Sequence, residues 1–376
     1  MDSPLISLFT SGNQGGIIRT NIRLANAFSA AGYRVHLVLE KKNFPFESEL
    51  KQGVDVKRLL TFNHITGVPF LAQYMRKYSP SVILTPVFQH TELAVRTREL
   101  INFPGKIYAV VHIPYKAAWE QIPPAKRASR ISRINRCYPK TDGIIANSNG
   151  VAADFSELTG MERSRITTIY NPVYDTNMKV LVDQPIDHPW FRPDEPPVIL
   201  SVGRLERAKN LFMLFTSFEK VRTRINCRLV LIGDGSLRSE LEASASNSLY
   251  REDIAFIGYQ INPFPYMNHA SILALSSSWE GFGIVIVEAL ATGTPVVATD
   301  CPGGPAEILG NGLPGRLVPI GDSAAMAQAI EDLIISPPPR EIMIKAAERF
   351  SATTIADQYL KVFGLANPSS GVTSKT

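Results

Sequence analysis

Cysteine is scarce: the 376 residues hold three, Cys137, Cys227 and Cys301, odd in number and far apart. That argues against a disulfide framework and against a zinc knuckle. No Asp-x-Asp occurs, nor any His/Cys cluster of zinc type, so no metal site and no cofactor are expected. No apolar run reaches the ~20 residues of a membrane-spanning helix. The opening MDSPLISLFTSG lacks a charged n-region and a small-residue cleavage site, and reads as a buried strand, not a signal peptide. A cytoplasmic protein is the expectation.

The charge is unevenly placed. Residues 1–190 carry 23 Lys and Arg against 15 Asp and Glu, whereas the remainder carries 16 against 19. The surplus of the first half points to an anionic partner, a membrane surface or a phosphorylated substrate. In PPAKRASRISRINRCYPK, residues 123–140, Arg127, Arg130, Arg133, Ile134 and Arg136 fall at helical spacing. Such a basic face suits an anionic lipid surface at the periphery of the membrane. A solvated basic helix is the plainer alternative. No nucleic-acid partner is expected.

The length exceeds one typical core, so two domains are expected. The first half alternates strands with helices: Leu5–Thr10, Arg34–Leu39, Val82–Val87, Ile107–His112 and Gly143–Ala146 read as strands. Between the first two, Ile18, Ile22, Leu24, Ala25 and Phe28 keep helical spacing up to Gly32, and the whole is a βαβ unit of a parallel sheet. The Pro- and Asp-rich stretch Asn171–Pro197 interrupts the rhythm as a linker. Strands then resume at Val198–Val202, Arg228–Ile232, Ala255–Ile257, Ile272–Leu275 and Pro295–Ala298. Helices are expected at Leu211–Val221, Leu237–Ser246, Ile284–Thr292 and Ala324–Ile335, and two more within Arg340–Leu365. The tail PSSGVTSKT reads as disordered.

Four glycine-bearing turns follow predicted strands. In SGNQGGIIR, Gly15 and Gly16 open a helix whose free N–H groups favour an anion. In SVGRLERAKN, Arg204 and Lys209 place a guanidinium fork and a point charge beside a helix start, as a diphosphate requires. In IGDGSLRSEL, Asp234 serves the turn, and Ser236 and Glu240 are cap candidates. The fourth is WEGFGIVIVEALATG, with Glu280 in a loop and Glu288 about one turn into a helix. The N–H groups of Phe282, Gly283 and Ile284 stand at that helix N-terminus, where a phosphate is stabilised. By spacing alone the two glutamates could be an acid and base, a metal pair or a grip on hydroxyls.

In order and spacing, SVGRLERAKN, IGDGSL, SSSWEGFGIVIVEALATGTPVVATDCPGGPAEIL and GRLVPIGD resemble the donor-binding half of glycosyltransferase family 4. GNQGG, GYRVHLV, VVHIPY around His112, ANSNGVAADF and IYNPV are similar to its other half. The resemblance implies an α/β protein of the GT-B fold, two Rossmann-like doubly wound domains facing across a cleft. The domains are placed at 1–175 and 198–350, with a linker at 176–197 and, in 351–376, a helix packing back on the N-terminal domain and then the tail. It implies a retaining transfer of a hexose or N-acetylhexosamine from a nucleotide sugar to a glycan or polyprenyl-diphosphate-linked acceptor in cell-surface polysaccharide assembly.

By the same resemblance Glu288 holds the ribose hydroxyls, and Arg204 and Lys209 neutralise the diphosphate. Glu280, with the backbone of Gly281, Phe282 and Gly283, contacts sugar and phosphate near the anomeric carbon. Gly15 and Gly16 close over the phosphates, and His112 faces the donor sugar. Asn147 and Ser148 shape the turn after a strand. The segment DCPGGPAEIL is a pointer to a UDP-linked donor. In the family an acidic residue often precedes the arginine after the first glycines. Here Ile17 and Ile18 precede Arg19, which leaves an acceptor role for Arg19 open. The alternatives are a nucleotide-sugar epimerase or phosphorylase of the same fold, or a non-catalytic binding module.

Overall fold

The structure, a computed structural model, describes residues 3–10, 15–40, 44, 46–59, 66–175, 178–310, 312 and 314–365. The expected tail therefore lies outside the described residues, apart from the turn that precedes it. The chain divides into two units: residues 1–172 with 352–376, and residues 173–351.

The first unit is built on a parallel sheet of seven strands: β1 (Leu5–Thr10), β2 (Arg34–Leu39), β3 (Val54–Arg58), β4 (Val82–Thr85), β5 (Lys106–Val111), β6 (Gly143–Ala146) and β7 (Ile166–Thr168). Their order is β3-β2-β1-β4-β5-β6-β7. Both faces are covered, as parallel sheets require. Along β1, Ile6 and Leu8 enter one apolar cluster and Phe9 the other. The helix Gly16–Ala30 buries Ile18, Ile22, Leu24, Ala25 and Phe28. It ends at Gly32, whose φ of 88° suits the left-handed turn and whose N–H bonds Ser29 O at 2.9 Å.

The last helix, Ala352–Phe363, belongs to this unit. Its Tyr359 and Phe363 meet Phe28 ring to ring, and Tyr108 Oη and Lys106 Nζ donate to its final carbonyls.

The second unit has six parallel strands: β8 (Val198–Val202), β9 (Arg228–Ile232), β10 (Ile254–Gly258), β11 (Ile272–Leu275), β12 (Val296–Thr299) and β13 (Gly315–Val318). The order is β10-β9-β8-β11-β12-β13. In both sheets the order reverses beside the first strand, at β1/β4 and β8/β11, the place where doubly wound sheets bind ligands.

Three edge strands, β3, β7 and β13, escape the sequence pattern. They are short, and β3 and β7 are largely half-exposed and polar, so no apolar run announces them. The stretch Val82–Val87 is a strand only to Thr85, because a helix already starts at Phe88. Residues 178–197 are ordered against the second unit. They form the helix Met178–Val182 and a 3-10 turn at Pro189–Phe191, with Phe191 edge-on to Tyr266 and Arg228 over the Trp190 ring. Among the described residues no helix is long and apolar enough to cross a membrane.

Candidate functional site

At the C-terminal ends of β8 and β9 the glycine turns lie backbone on backbone. Gly203 N–H donates to Ile232 O, and Leu205 N–H to Asp234 O, both at 2.9 Å. A Cβ on Gly233 would stand 1.8 Å from Gly203 O, so only glycine fits there. Asp234 serves its own turn: Oδ1 accepts from Gly235 N–H at 2.8 Å. Ser236 does not cap the following helix. That helix starts at Arg238 with Leu237 at the N-cap and no side-chain cap bond.

The turn after β8 carries both predicted cations, and they have different surroundings. The Arg204 side chain is 74% exposed, with Glu206 at 3.5 Å. Lys209 is held inward: Nζ lies 2.5 Å from Glu280 Oε1, and Ser277 Oγ donates to the same oxygen at 2.6 Å. Two hydrogen bonds to backbone carbonyls fasten the two segments. Ser276 Oγ donates to Lys209 O at 2.7 Å, and Ser278 N–H to Ala208 O at 2.8 Å. Ser201, Gly203, Arg204, Lys209 and Ser276 line one small cleft.

The loop 280–283 rests on a second glycine turn. Glu280 N–H donates to Pro302 O at 3.0 Å. A Cβ on Gly303 would lie 1.8 Å from Glu280 O, and one on Gly304 2.3 Å from Phe282 O. The Phe282 side chain is buried, edge-on to Phe350 at 5.2 Å, so only its backbone is offered to a ligand. Gly283, at φ 91°, caps the helix Ile284–Ala291. Glu288 lies within that helix, 6% exposed, between buried Ile286, Val287, Ala289 and Leu290. Ser276, Ser277, Pro302–Gly304 and Phe350 support this loop. Their signals in the sequence, the SSS and PGGP runs, carry no contact information by themselves.

In the first unit Gly15 (φ 138°) caps the helix that Gly16 begins, while Ser11–Gln14 lie outside the described residues. His112 follows β5 and is buried, which pushes its imidazole down to about 4 and keeps it neutral. Asn147 Nδ2 donates to His112 O at 3.1 Å. The basic stretch is the helix Pro124–Cys137. Arg133 pairs with Glu92 and lies over the Phe88 ring, and Arg130 lies over Trp119. Lys126 and Arg136 are exposed and Arg127 half-exposed. Among the described residues no three His, Cys, Asp or Glu side chains could together hold a metal ion.

Two family models match. Residues 14–176 match Glycosyltransferase Family 4, and residues 183–350 match Glycosyl transferases group 1. The chain is 31% identical over 261 residues to the lipopolysaccharide core biosynthesis glycosyltransferase LpsE of Rhizobium meliloti, covering 65% of this chain and 72% of that protein. It is 29% identical over 231 residues to the N-acetylgalactosamine-N,N'-diacetylbacillosaminyl-diphospho-undecaprenol 4-alpha-N-acetylgalactosaminyltransferase of Campylobacter jejuni. That match covers 61% of this chain and spans 59% of the relative's length.

Among solved structures, Anabaena HepE in complex with UDP and glucose superposes with a TM-score of 0.78 at 21% identity, over 96% of this chain and 99% of that one. Sucrose-phosphate synthase from Thermosynechococcus elongatus gives 0.76 at 20% identity, over 96% and 98%. The two parallel-sheet units are thus those of the GT-B fold. With both halves matched in order and a relative of this identity and coverage, the chain belongs to glycosyltransferase family 4.

Proposed function

We propose that this chain transfers a hexose or N-acetylhexosamine from a UDP-linked donor, with retention at the anomeric carbon, to a glycan or polyprenyl-diphosphate-linked acceptor in cell-surface polysaccharide assembly. The observation that carries the reading is the Lys209–Glu280–Ser277 cluster, fastened beside the N-terminus of the helix Ile284–Ala291. A leaving diphosphate needs its charge neutralised. Arg204, Lys209 and the helix N–H groups supply that electrostatically, with no metal required. Glu288 accepts from the ribose hydroxyls and Glu280 contacts the sugar. His112 and the Gly15–Gly16 turn of the first unit are assigned to the donor.

In the proposed step the bond from C1 to the phosphate oxygen breaks as the acceptor oxygen bonds C1 on the same face. The acceptor proton passes to the leaving phosphate oxygen. Catalysis then consists of positioning and charge stabilisation. The relatives in lipopolysaccharide assembly and the UDP-bound fold neighbours support the choice of donor and setting. The test is a panel of UDP- and GDP-linked sugars scored by nucleotide release with a lipid extract, with product anomeric configuration read by NMR. Absence of UDP binding in calorimetry, or an inverted product, would sink the reading.

A second element of the proposal is peripheral attachment to an anionic membrane on the cytoplasmic face. It is supported by the net basic first half and by the surface cations Lys126, Arg127 and Arg136. Flotation with anionic liposomes at rising salt tests it; no binding at low salt refutes it.

A further inference from the structure

The neighbouring strands β11 and β12, with Leu275 level with Ala298, end in three buried hydroxyl residues, Ser276, Ser277 and Thr299. Each hydroxyl goes to a different place. Ser276 Oγ donates to Lys209 O at 2.7 Å, Ser277 Oγ to Glu280 Oε1 at 2.6 Å, and Thr299 Oγ1 to Ser277 O at 2.5 Å. With Ser278 N–H on Ala208 O, the backbone of residues 276–278 is held from β12 and from the turn after β8 at once.

Lys209 alone would not orient Glu280. An ammonium is a compact point charge with three rotatable donors, and the last torsion of a glutamate is broad and two-fold. Such a pair fixes a distance and leaves the carboxylate plane free to turn. Ser277 removes that freedom, because its hydroxyl is directional and comes from a fixed backbone. Lys209 Nζ and Ser277 Oγ both end on Oε1, and Oε2 takes no bond among the described residues. One carboxylate oxygen is tied and the other is left to accept. Ser276 acts on the partner. It fastens the carbonyl of Lys209, the last residue of the 3-10 turn Arg207–Lys209, so the stem that carries the ammonium starts from a fixed point.

We propose that Ser276 and Ser277 are positioning residues with divided tasks. Ser277 aims the untied oxygen of Glu280 at a hydroxyl of the donor sugar, and Ser276 sets Lys209 toward the diphosphate. Thr299 braces the pair through the Ser277 carbonyl. The inference rests on the glycosyltransferase reading above and deepens it, since each serine acts through a charged neighbour rather than on the donor itself.

The test uses the full chain and the variants Ser277→Ala, Ser277→Cys and Ser276→Ala. Calorimetry reads UDP affinity, and nucleotide release from the donor that the sugar panel selects reads turnover. Ser277→Ala should lower kcat about tenfold and leave UDP affinity unchanged. Ser277→Cys, similar in shape but a weak donor, should be as slow. Full turnover in the cysteine variant would make Ser277 a packing residue and overturn the inference. Ser276→Ala should instead weaken UDP binding about fivefold.

A double-mutant cycle separates positioning from folding. In a Glu280→Ala background Ser277→Ala should cost no further turnover, because the carboxylate it holds is gone. A tenfold loss that persists there overturns the inference while the nucleotide reading stands. So do serine variants that melt lower yet keep wild-type turnover and UDP affinity. A wild type that binds no UDP sinks the nucleotide reading instead. The same cycle is then read in unfolding midpoints, where non-additive losses uphold the grip of Ser277 on Glu280 and additive losses remove it.

Discussion

Lys209 and Glu280 are 71 positions apart in the chain and 2.5 Å apart in space, with Ser277 sharing the same carboxylate oxygen. The pair is only partly exposed, so neither charge is fully paid by water. Replacing Lys209 with Ala leaves Glu280 without its cation and should lower stability by about 1–3 kcal/mol. Glu280→Gln keeps the shape and should remain folded, while turnover falls on the order of a hundredfold. Thermal melting beside steady-state kinetics separates the two. A Glu280→Gln enzyme with full turnover would remove Glu280 from the catalytic step.

The glycine floor predicts a contrast. Gly303 sits at φ 126°, and a Cβ there would meet Glu280 O at 1.8 Å, whereas Gly160, in the left-handed helical region at φ 72°, has nothing within 4 Å of a Cβ. Gly303→Ala should therefore lose about 2–4 kcal/mol and distort the loop that carries Glu280. Gly160→Ala should lose only about 1 kcal/mol, from backbone strain alone. Calorimetric scans of both variants check this, and equal losses would mean that the close approach does not govern Gly303.

Three buried histidines predict acid sensitivity. Burial lowers His36, His90 and His112 to about 4 each, with the charge of Lys57 adding to the effect at His36 and Asp55 opposing it. Unfolded, each titrates near 6.5, so below that pH the unfolded chain binds more protons and stability falls. The contribution is complete above pH ~6.5 and is lost as pH drops toward 4, at ~1.4 kcal/mol per pH unit for each histidine. Melting temperatures from pH 7.5 to 4.5 should be flat at first and then fall. A profile flat throughout would show that these imidazoles take up protons in the folded chain as readily as in the unfolded one, so that burial does not depress them.

The basic helix predicts a division of labour among its cations. Arg133, paired with Glu92 over Phe88, supports packing, so Arg133→Ala should lower the melting temperature. Replacing Lys126, Arg127 and Arg136 together with Gln should leave melting unchanged and abolish liposome flotation at low salt. Flotation that survives the triple change would place any membrane contact elsewhere.

The central βα rhythm of both units was legible because its signals are local. Buried parallel strands are continuous apolar runs, helices show their 3.6 period, and Gly32 or Gly283 marks an end or a start by its own backbone freedom. The family pattern was legible for the same reason, since its glycines, cations and glutamates fall at strand ends along the chain.

Partners were not legible. The strand β3 shows no apolar run because its place at an edge is decided by β2. That Arg133 turns to Glu92, that Phe282 points to Phe350 rather than to a ligand, and that Lys209 closes on Glu280 are all contacts between distant segments. So are the strand neighbours that set His112 and Asn147 on adjoining strand ends. The sequence by itself determined which residues stand at the turns, because turn formation is a property of a few consecutive residues. Only the tertiary structure decided which of them meet, because pairing depends on where parallel strands and their crossovers bring segments that the chain keeps far apart.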